Sequence, residues 1–327
     1  MKNKNIVVIG GGTGTFGLLQ EFKNWTSNIS VIVNMCDDGG SSGDLRDELG
    51  VLPPGDIRQC LVGLSNYPEA RNLFSYRFGK GKLNNHSVGN IVLAALELYY
   101  GDFSKAVEVV SSLLKITGKV IPISTQKYQL CLVDNKKTIL GESTIANHQI
   151  QSKHPKLYLT PKVKINPEAK TAILEADLVV IAPGNFYGSI LPILVVDGVK
   201  NALRITRAKV VMITNLVNKP KHTLNWTVKN YHSRAERYLA KNSIDYVLYN
   251  KQKIAKRMLD KYAQDKEFPI KYHTKDFENQ FTKYIGADLV DRRPYKQDNN
   301  DRKIKRTLIR HNAKNVVKEL EKILGNK

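Results

Sequence analysis

Cysteine is scarce. Cys36, Cys60 and Cys131 are the whole complement, widely spaced and without a C-x-x-C pair. An odd, scattered set argues against a disulfide framework or a cysteine zinc centre, and fits a reducing compartment such as the cytoplasm. Long apolar runs are missing too: none approaches the roughly 20 residues that span a bilayer. The longest candidates, 178–183 and 190–196, have strand or core length, so no membrane span is expected. Residues 1–5 are not followed by the apolar segment and small-residue cleavage site of a signal peptide. There is no repeat, no low-complexity linker, no H-x-x-x-H or H-E-x-x-H spacing for zinc, and no G-x-S-x-G for a serine nucleophile. Acidic residues are short by comparison with basic ones, 30 against 51, giving a formal charge of +21.

That charge is lopsided. Residues 1–150 hold 15 basic and 13 acidic side chains; the remaining 36 and 17 lie in 151–327. Such asymmetry suggests an anionic partner for the second half, or a lysine-rich solvated surface. Nucleic acid is not favoured at this level, because no basic block is interleaved with stacking aromatics. With 42% hydrophobic and 25% charged residues in a chain of 327, the composition is that of a globular protein.

The hydrophobic pattern opens with a buried strand over 5–9, a run of glycines, a helical pattern through Leu18, Leu19 and Phe22, and a β-branched strand over 29–33. This β–turn–α–β unit predicts an α/β fold of Rossmann-like type, a mostly parallel sheet flanked by helices. Helical patterns follow at 55–64, 68–78, 87–99 and 103–114, the last with Asp102 as a cap. A β-rich stretch runs over 120–145, with strands at 120–124 and 129–133. Strands at 178–182, 210–214 and 246–249 then alternate with helices at 199–206 and 224–239. Residues 251–306 are polar and weakly patterned, and 307–324 reads as an amphipathic closing helix. One domain over 1–327 is expected. Its Rossmann-like core covers about 1–60 and 170–250, with a helical and β-rich insertion over about 60–170 and a basic C-terminal region over 251–327.

Two loops carry the chemistry. Gly10-Gly11-Gly12-Thr13-Gly14-Thr15-Phe16-Gly17 stands where a strand hands over to a helix. Little side-chain bulk lets backbone N–H groups approach an anion, and the helix N-terminus adds partial positive charge. Thr13 and Thr15 can add hydroxyls. Leu18 and Leu19 replace the Lys-Ser/Thr of a P-loop. The plain alternative is a tight β–α turn. The second loop, Asp37-Asp38-Gly39-Gly40-Ser41-Ser42-Gly43, follows the second strand and so lies on the same edge of the sheet. Adjacent carboxylates repel a phosphate unless they hold Mg²⁺ or accept from a sugar hydroxyl, so Asp37 and Asp38 are the candidate metal ligands. Arg46 and Arg58 are candidate phosphate clamps, each with a surface ion pair as the alternative.

The strings VVIGGGTG and DDGGSSGDLRDELGVLPPGDIRQCL resemble the CofD-like superfamily, and specifically its YvcK branch, the gluconeogenesis factors. The resemblance continues at Asn85-His86-Ser87-Val88-Gly89-Asn90, at Gly101-Asp102-Phe103, at Gly141-Glu142-Ser143 and at 182–192, and covers about 5–250. It implies a Rossmann-like core with a nucleoside-diphosphate site. For the YvcK branch it implies binding of UDP-sugars such as UDP-N-acetylglucosamine and regulation of carbon metabolism, envelope synthesis and cell shape. For the CofD branch it implies a Mg²⁺-dependent enzyme moving a phospholactyl-type group from a nucleoside-diphosphate-linked donor. Asn34 before the acidic pair looks CofD-like; Gly39–Gly43 and Pro53-Pro54-Gly55-Asp56 look YvcK-like. The implied partner is a nucleoside-diphosphate sugar or related dinucleotide, Mg²⁺ is the one cofactor suggested, and a homo-oligomer is compatible with the sequence.

The chain departs from the branch pattern in two places. Ala182, Asn185 and Gly188 stand in a segment that usually reads G-P-G-S-L-Y-T-S, and Lys219, Lys221 and His222 follow Asn215 where glycine and glutamate are usual. The bound sugar or base is therefore open. His86 can donate to a phosphate or simply be polar in a capping turn, and Asn90 lies one turn further on the same face. Gly184, Asn185 and Tyr187 follow a strand on the ligand edge. Asn215 does too, and its amide can read a base or sugar edge.

Overall fold

The computed structural model describes residues 3–278, 280–293 and 309–325. Among the described residues there are ten strands: β1 Ile6–Ile9, β2 Ile29–Val33, β3 Lys119–Pro122, β4 Gln129–Asp134, β5 Lys137–Leu140, β6 Lys156–Thr160, β7 Leu178–Ile181, β8 Lys209–Ile213, β9 Tyr246–Asn250 and β10 Lys283–Ala287. Seven form one sheet in the order β10-β9-β8-β7-β1-β2-β3, and every neighbouring pair in it is parallel. Helices flank this sheet, so the fold is α/β and Rossmann-like. The central strands β1 and β7 are buried along their whole length, as continuous apolar runs in a doubly covered parallel sheet require.

The register pairs Ile6 with Ile29 on one side and with Leu178 on the other. From β1 the chain moves outward to β2 and β3. It then returns to β7 on the opposite side of β1. The loops after β1 and β7 thus diverge and leave a crevice between them, the usual ligand position in open α/β sheets. Helix Gly12–Trp25 closes the first unit, burying Leu18, Leu19, Phe22 and Trp25.

The sequence patterns differ from the structure in specific ways. β3 lies within the stretch expected to be inserted, yet it pairs with β2 in the main sheet. The stretch between β3 and β7 holds a separate antiparallel sheet, β5-β4-β6. Helix Gly40–Leu49 arises directly from the acidic-glycine loop; its glycines and serines are poor helix formers, so local propensity conceals it. β10 stands in the weakly patterned polar region. The helix expected over 224–239 is shorter, Val228–Glu236, because Thr227 and Asn230 form a reciprocal capping box that fixes its start. Asp102 does cap helix Phe103–Leu113, accepting from the Ser104 amide at 2.7 Å. The closing helix runs Ala313–Gly325; positions 307 and 308 of the expected helix, and 294–306 of the polar region, lie outside the described residues. No described helix is long and apolar enough to cross a membrane.

Candidate functional site

The crevice between the loops after β1 and β7 opens into a cleft of about 750 Å³. Its floor is the first glycine loop. Gly12 has φ +67, in the left-handed region that favours glycine. At Gly14 a Cβ would lie 2.4 Å from the Pro183 carbonyl oxygen, so only glycine lets the two loops approach this closely. The Gly12 N–H donates to the Asp56 carboxylate. The Thr15 hydroxyl donates to the Gly11 carbonyl at 3.1 Å and is fully buried. That hydroxyl shapes the loop from within. Gly11, Gly12 and Gly14 line the cleft.

The loop after β7 forms the facing wall. Asn185 accepts from the Gly188 N–H at 3.2 Å and caps a π-helical turn, Phe186–Ile190. Asn215, after β8, holds Gly184 reciprocally: it accepts from the Gly184 N–H at 3.2 Å and donates to its carbonyl at 2.9 Å. Asn34, after β2, donates to the Gly188 carbonyl at 3.0 Å. Asn34, Gly184, Asn185 and Asn215 all line the cleft, on loops following three different strands, β2, β7 and β8. Tyr187 is elsewhere. Its ring is buried, edge-on to Phe186, Trp226 and His222, and burial pushes its hydroxyl pKa up.

The adjacent carboxylates separate in space. Asp37 faces the cleft, held by the Gly39 N–H at 3.1 Å. Asp38 turns to the first turn of helix Glu142–Asn147 and accepts from the Glu142 and Ser143 amides at 2.9 and 2.7 Å. Two carboxylates the motif reading did not single out, Asp56 and Glu142, join Asp37 at the cleft. Burial, then the mutual repulsion of these groups, pushes Asp56 up to about 8 and Glu142 up to about 7; burial also raises Asp37. Among the described residues no three His, Cys, Asp or Glu side chains are arranged to hold a metal ion. Mg²⁺ commonly takes only one or two carboxylates plus phosphate oxygens, and Asp37 with Asp56 offers that many.

The candidate clamps and the helical string form a second polar network behind the carboxylates. Arg58 is 4% exposed and its Nε donates to Asn90 Oδ1 at 2.9 Å. Asn90 Nδ2 donates to the Ser41 hydroxyl at 3.0 Å, which is also 3.0 Å from His86 Nδ1. Arg46 forks onto Asp47 at 2.7 Å and stands 3.8 Å from Asp38. Ser42 contacts Asp37 from within the helix that Gly39 caps, and Gly40 is its first residue. None of Arg46, Arg58, His86 or Asn90 lines the cleft. The side chain of Thr13 lies outside the described residues.

Most of the outer wall escaped sequence reading. Arg71 and Asn72 of helix Pro68–Ser75, Lys219, and the C-terminal stretch at Arg310 and His311 all border the cleft. His311 Nε2–H donates to the Thr214 carbonyl at 3.0 Å, pinning that stretch over the end of β8. Lys219 belongs to the departing segment after Asn215; no motif marks Arg71, Asn72, Arg310 or His311, since each reaches the cleft only through long-range packing.

The family model described as 2-phospho-L-lactate transferase CofD matches residues 6–290. The gluconeogenesis factor of Bacillus subtilis is 37% identical, over 87% of this chain and 89% of that protein. The gluconeogenesis factor of Halalkalibacterium halodurans is 37% identical, over 83% and 84%. The crystal structure of a UPF0052 family member from Bacillus halodurans superposes with a TM-score of 0.88 at 33% identity, covering 97% of this chain and 99% of that one. The glycine loop, the acidic-glycine motif and the seven-stranded order thus sit in a chain that belongs to the CofD-like family, among its gluconeogenesis factors.

Proposed function

We propose that this protein binds a nucleoside-diphosphate sugar, of the UDP-N-acetylglucosamine type, and acts as a regulator of carbon metabolism and envelope synthesis rather than as a catalyst. One observation carries the reading: a 750 Å³ cleft at the switch point, with a side-chain-poor glycine turn at a helix N-terminus on one wall and asparagine amides on the other. In this reading the backbone amides that follow Gly12 at the helix N-terminus, at Thr13 and Gly14, meet the diphosphate. Asn185 and Asn215 keep unused amide capacity to read a sugar or base edge. Asp37 accepts from a sugar hydroxyl. Arg46, Arg58, His86 and Asn90 act from behind, holding Asp37 and its helix in position. The names of the relatives support a regulatory role in gluconeogenesis.

A second reading has its own observation. Asp37 and Asp56 offer two carboxylates at one cleft, enough for a divalent cation that takes its other ligands from a diphosphate and water, as a phosphorus-group transferase needs. Calorimetry with UDP-N-acetylglucosamine, UDP and GDP, each with EDTA and with Mg²⁺, separates the two. Chromatography of the same mixtures with a hydroxyl acceptor reads turnover. Binding that survives EDTA, with no nucleotide released, is expected. Absence of binding sinks the first reading; strictly Mg²⁺-dependent release of a nucleoside monophosphate establishes the second.

A further inference from the structure

A second concavity, about 540 Å³, lies on the opposite edge of the main sheet. Lys209, Tyr246 and Lys283 are the first residues of β8, β9 and β10, and all three line it. It is therefore separated from the nucleotide cleft by the length of the strands. Arg204 and Arg207 border one side, from and just after helix Val199–Ile205; Lys241 borders another, from the turn before β9. These cations are exposed. Among the described residues Arg204 bonds only the neutral amide of Asn201, at 2.9 Å. Lys283 lies over the Tyr246 ring, 6.0 Å from its centroid. No carboxylate is ion-paired with Arg204, Arg207, Lys241 or Lys283 among the described residues. The one acidic lining residue, Asp245, is committed to the Val210 N–H at 2.7 Å. At the rim stands Phe281, 60% exposed.

Unpaired cations around a trench attract several phosphates at once, and an uncovered ring beside them offers a face to a base. A lipid surface fits worse, because the cations line a concavity that a flat headgroup layer does not enter. We infer that this trench binds single-stranded nucleic acid, with Arg204, Arg207, Lys241 and Lys283 on the phosphates and Phe281 stacked on a base. The inference is independent of what the nucleotide cleft holds.

The test is fluorescence anisotropy of the full chain with a fluorescein-labelled oligouridylate of twelve nucleotides. Four phosphate contacts on a single strand predict affinity about 50-fold weaker in 200 mM than in 50 mM salt. Arg207→Glu with Lys241→Glu is expected to weaken binding at least tenfold, and Phe281→Ala at least fivefold, the lower end for a stacked base. Lys256→Glu with Arg257→Glu makes the same charge change on helix Lys256–Gln264, beyond the other end of β9, and is expected to change affinity less than threefold. Thermal unfolding confirms that each variant folds; Arg204→Gln, exposed and conservative, replaces any that does not and is expected to weaken binding at least threefold. Failure to bind the oligonucleotide overturns the inference, as does preferential binding to phosphatidylglycerol vesicles. Equal losses in the trench and control charge variants, or full affinity in Phe281→Ala, also overturn it.

Discussion

Asp56 offers the sharpest test of the cleft electrostatics. Its carboxyl lies against the glycine loop, accepts from the Gly12 N–H and faces the charges of Asp37 and Glu142. Burial and that repulsion raise its pKa from 3.8 to about 8. The folded state therefore holds a proton that the unfolded chain releases above pH 4. Stability is unaffected below the unfolded pKa, falls as pH rises between about 4 and 8, and stays lowered above. At 1.36 kcal/mol per unit the full shift corresponds to an upper bound of about 6 kcal/mol. Asp56 keeps one side open to the cleft, so water screens part of this, leaving about 2–4 kcal/mol. Asp56→Asn keeps the shape and an acceptor for Gly12 while removing the charge. Urea unfolding at pH 8.5 should show the variant more stable by that amount, and at pH 4.5 the difference should shrink toward zero. No gain at pH 8.5, or a gain of equal size at both pH values, would refute the claim that buried negative charge strains this cleft.

Gly12→Val forces a branched side chain into a left-handed conformation, costing about 1–2 kcal/mol, and should abolish nucleotide binding in calorimetry on a protein that still unfolds cooperatively. Asn215→Ala removes both bonds to Gly184 and should cost about 1–3 kcal/mol, read as a lowered urea midpoint together with weaker UDP-sugar binding. Arg58→Ala leaves a buried Asn90 oxygen unmatched and should cost about 2–4 kcal/mol of stability. For Arg46→Ala the stability loss should stay within about 1 kcal/mol, and calorimetry then tests the clamp expectation: a tenfold loss of affinity supports it and unchanged affinity removes it. Burial lowers His311 and His232 to about 4. The unfolded chain takes up these protons near pH 6.5, so stability should fall as pH drops from about 6.5 to 4. His311→Gln should flatten part of that fall in a pH series of melting temperatures, and an unchanged profile would count against the buried neutral imidazole.

Much of the fold was legible because it rests on local patterns. The runs Ile6–Ile9 and Ile29–Val33 are apolar and β-branched, glycines separate the first from a helical period, and that is enough to specify a parallel β–α–β start. The glycine turn and the acidic loop announce a candidate ligand edge because glycine spacing and strand ends are sequence features. Other elements depend on partners far along the chain. β10 forms in a polar segment because β9 presents a free edge beside it, and helix Gly40–Leu49 forms from poor helix formers packed into a tertiary niche. The adjacency of Asp37 and Asp38 in sequence suggested a pair, but a helix N-terminus at Glu142 draws Asp38 away and tertiary packing brings Asp56 and Glu142 in its place. The charge followed the same rule. Sequence showed 36 basic residues after position 150 without a block interleaved with aromatics. Folding collects Arg204, Lys241 and Lys283 from three segments around Phe281, because parallel strands bring their starting ends to one edge however far apart they lie in the chain.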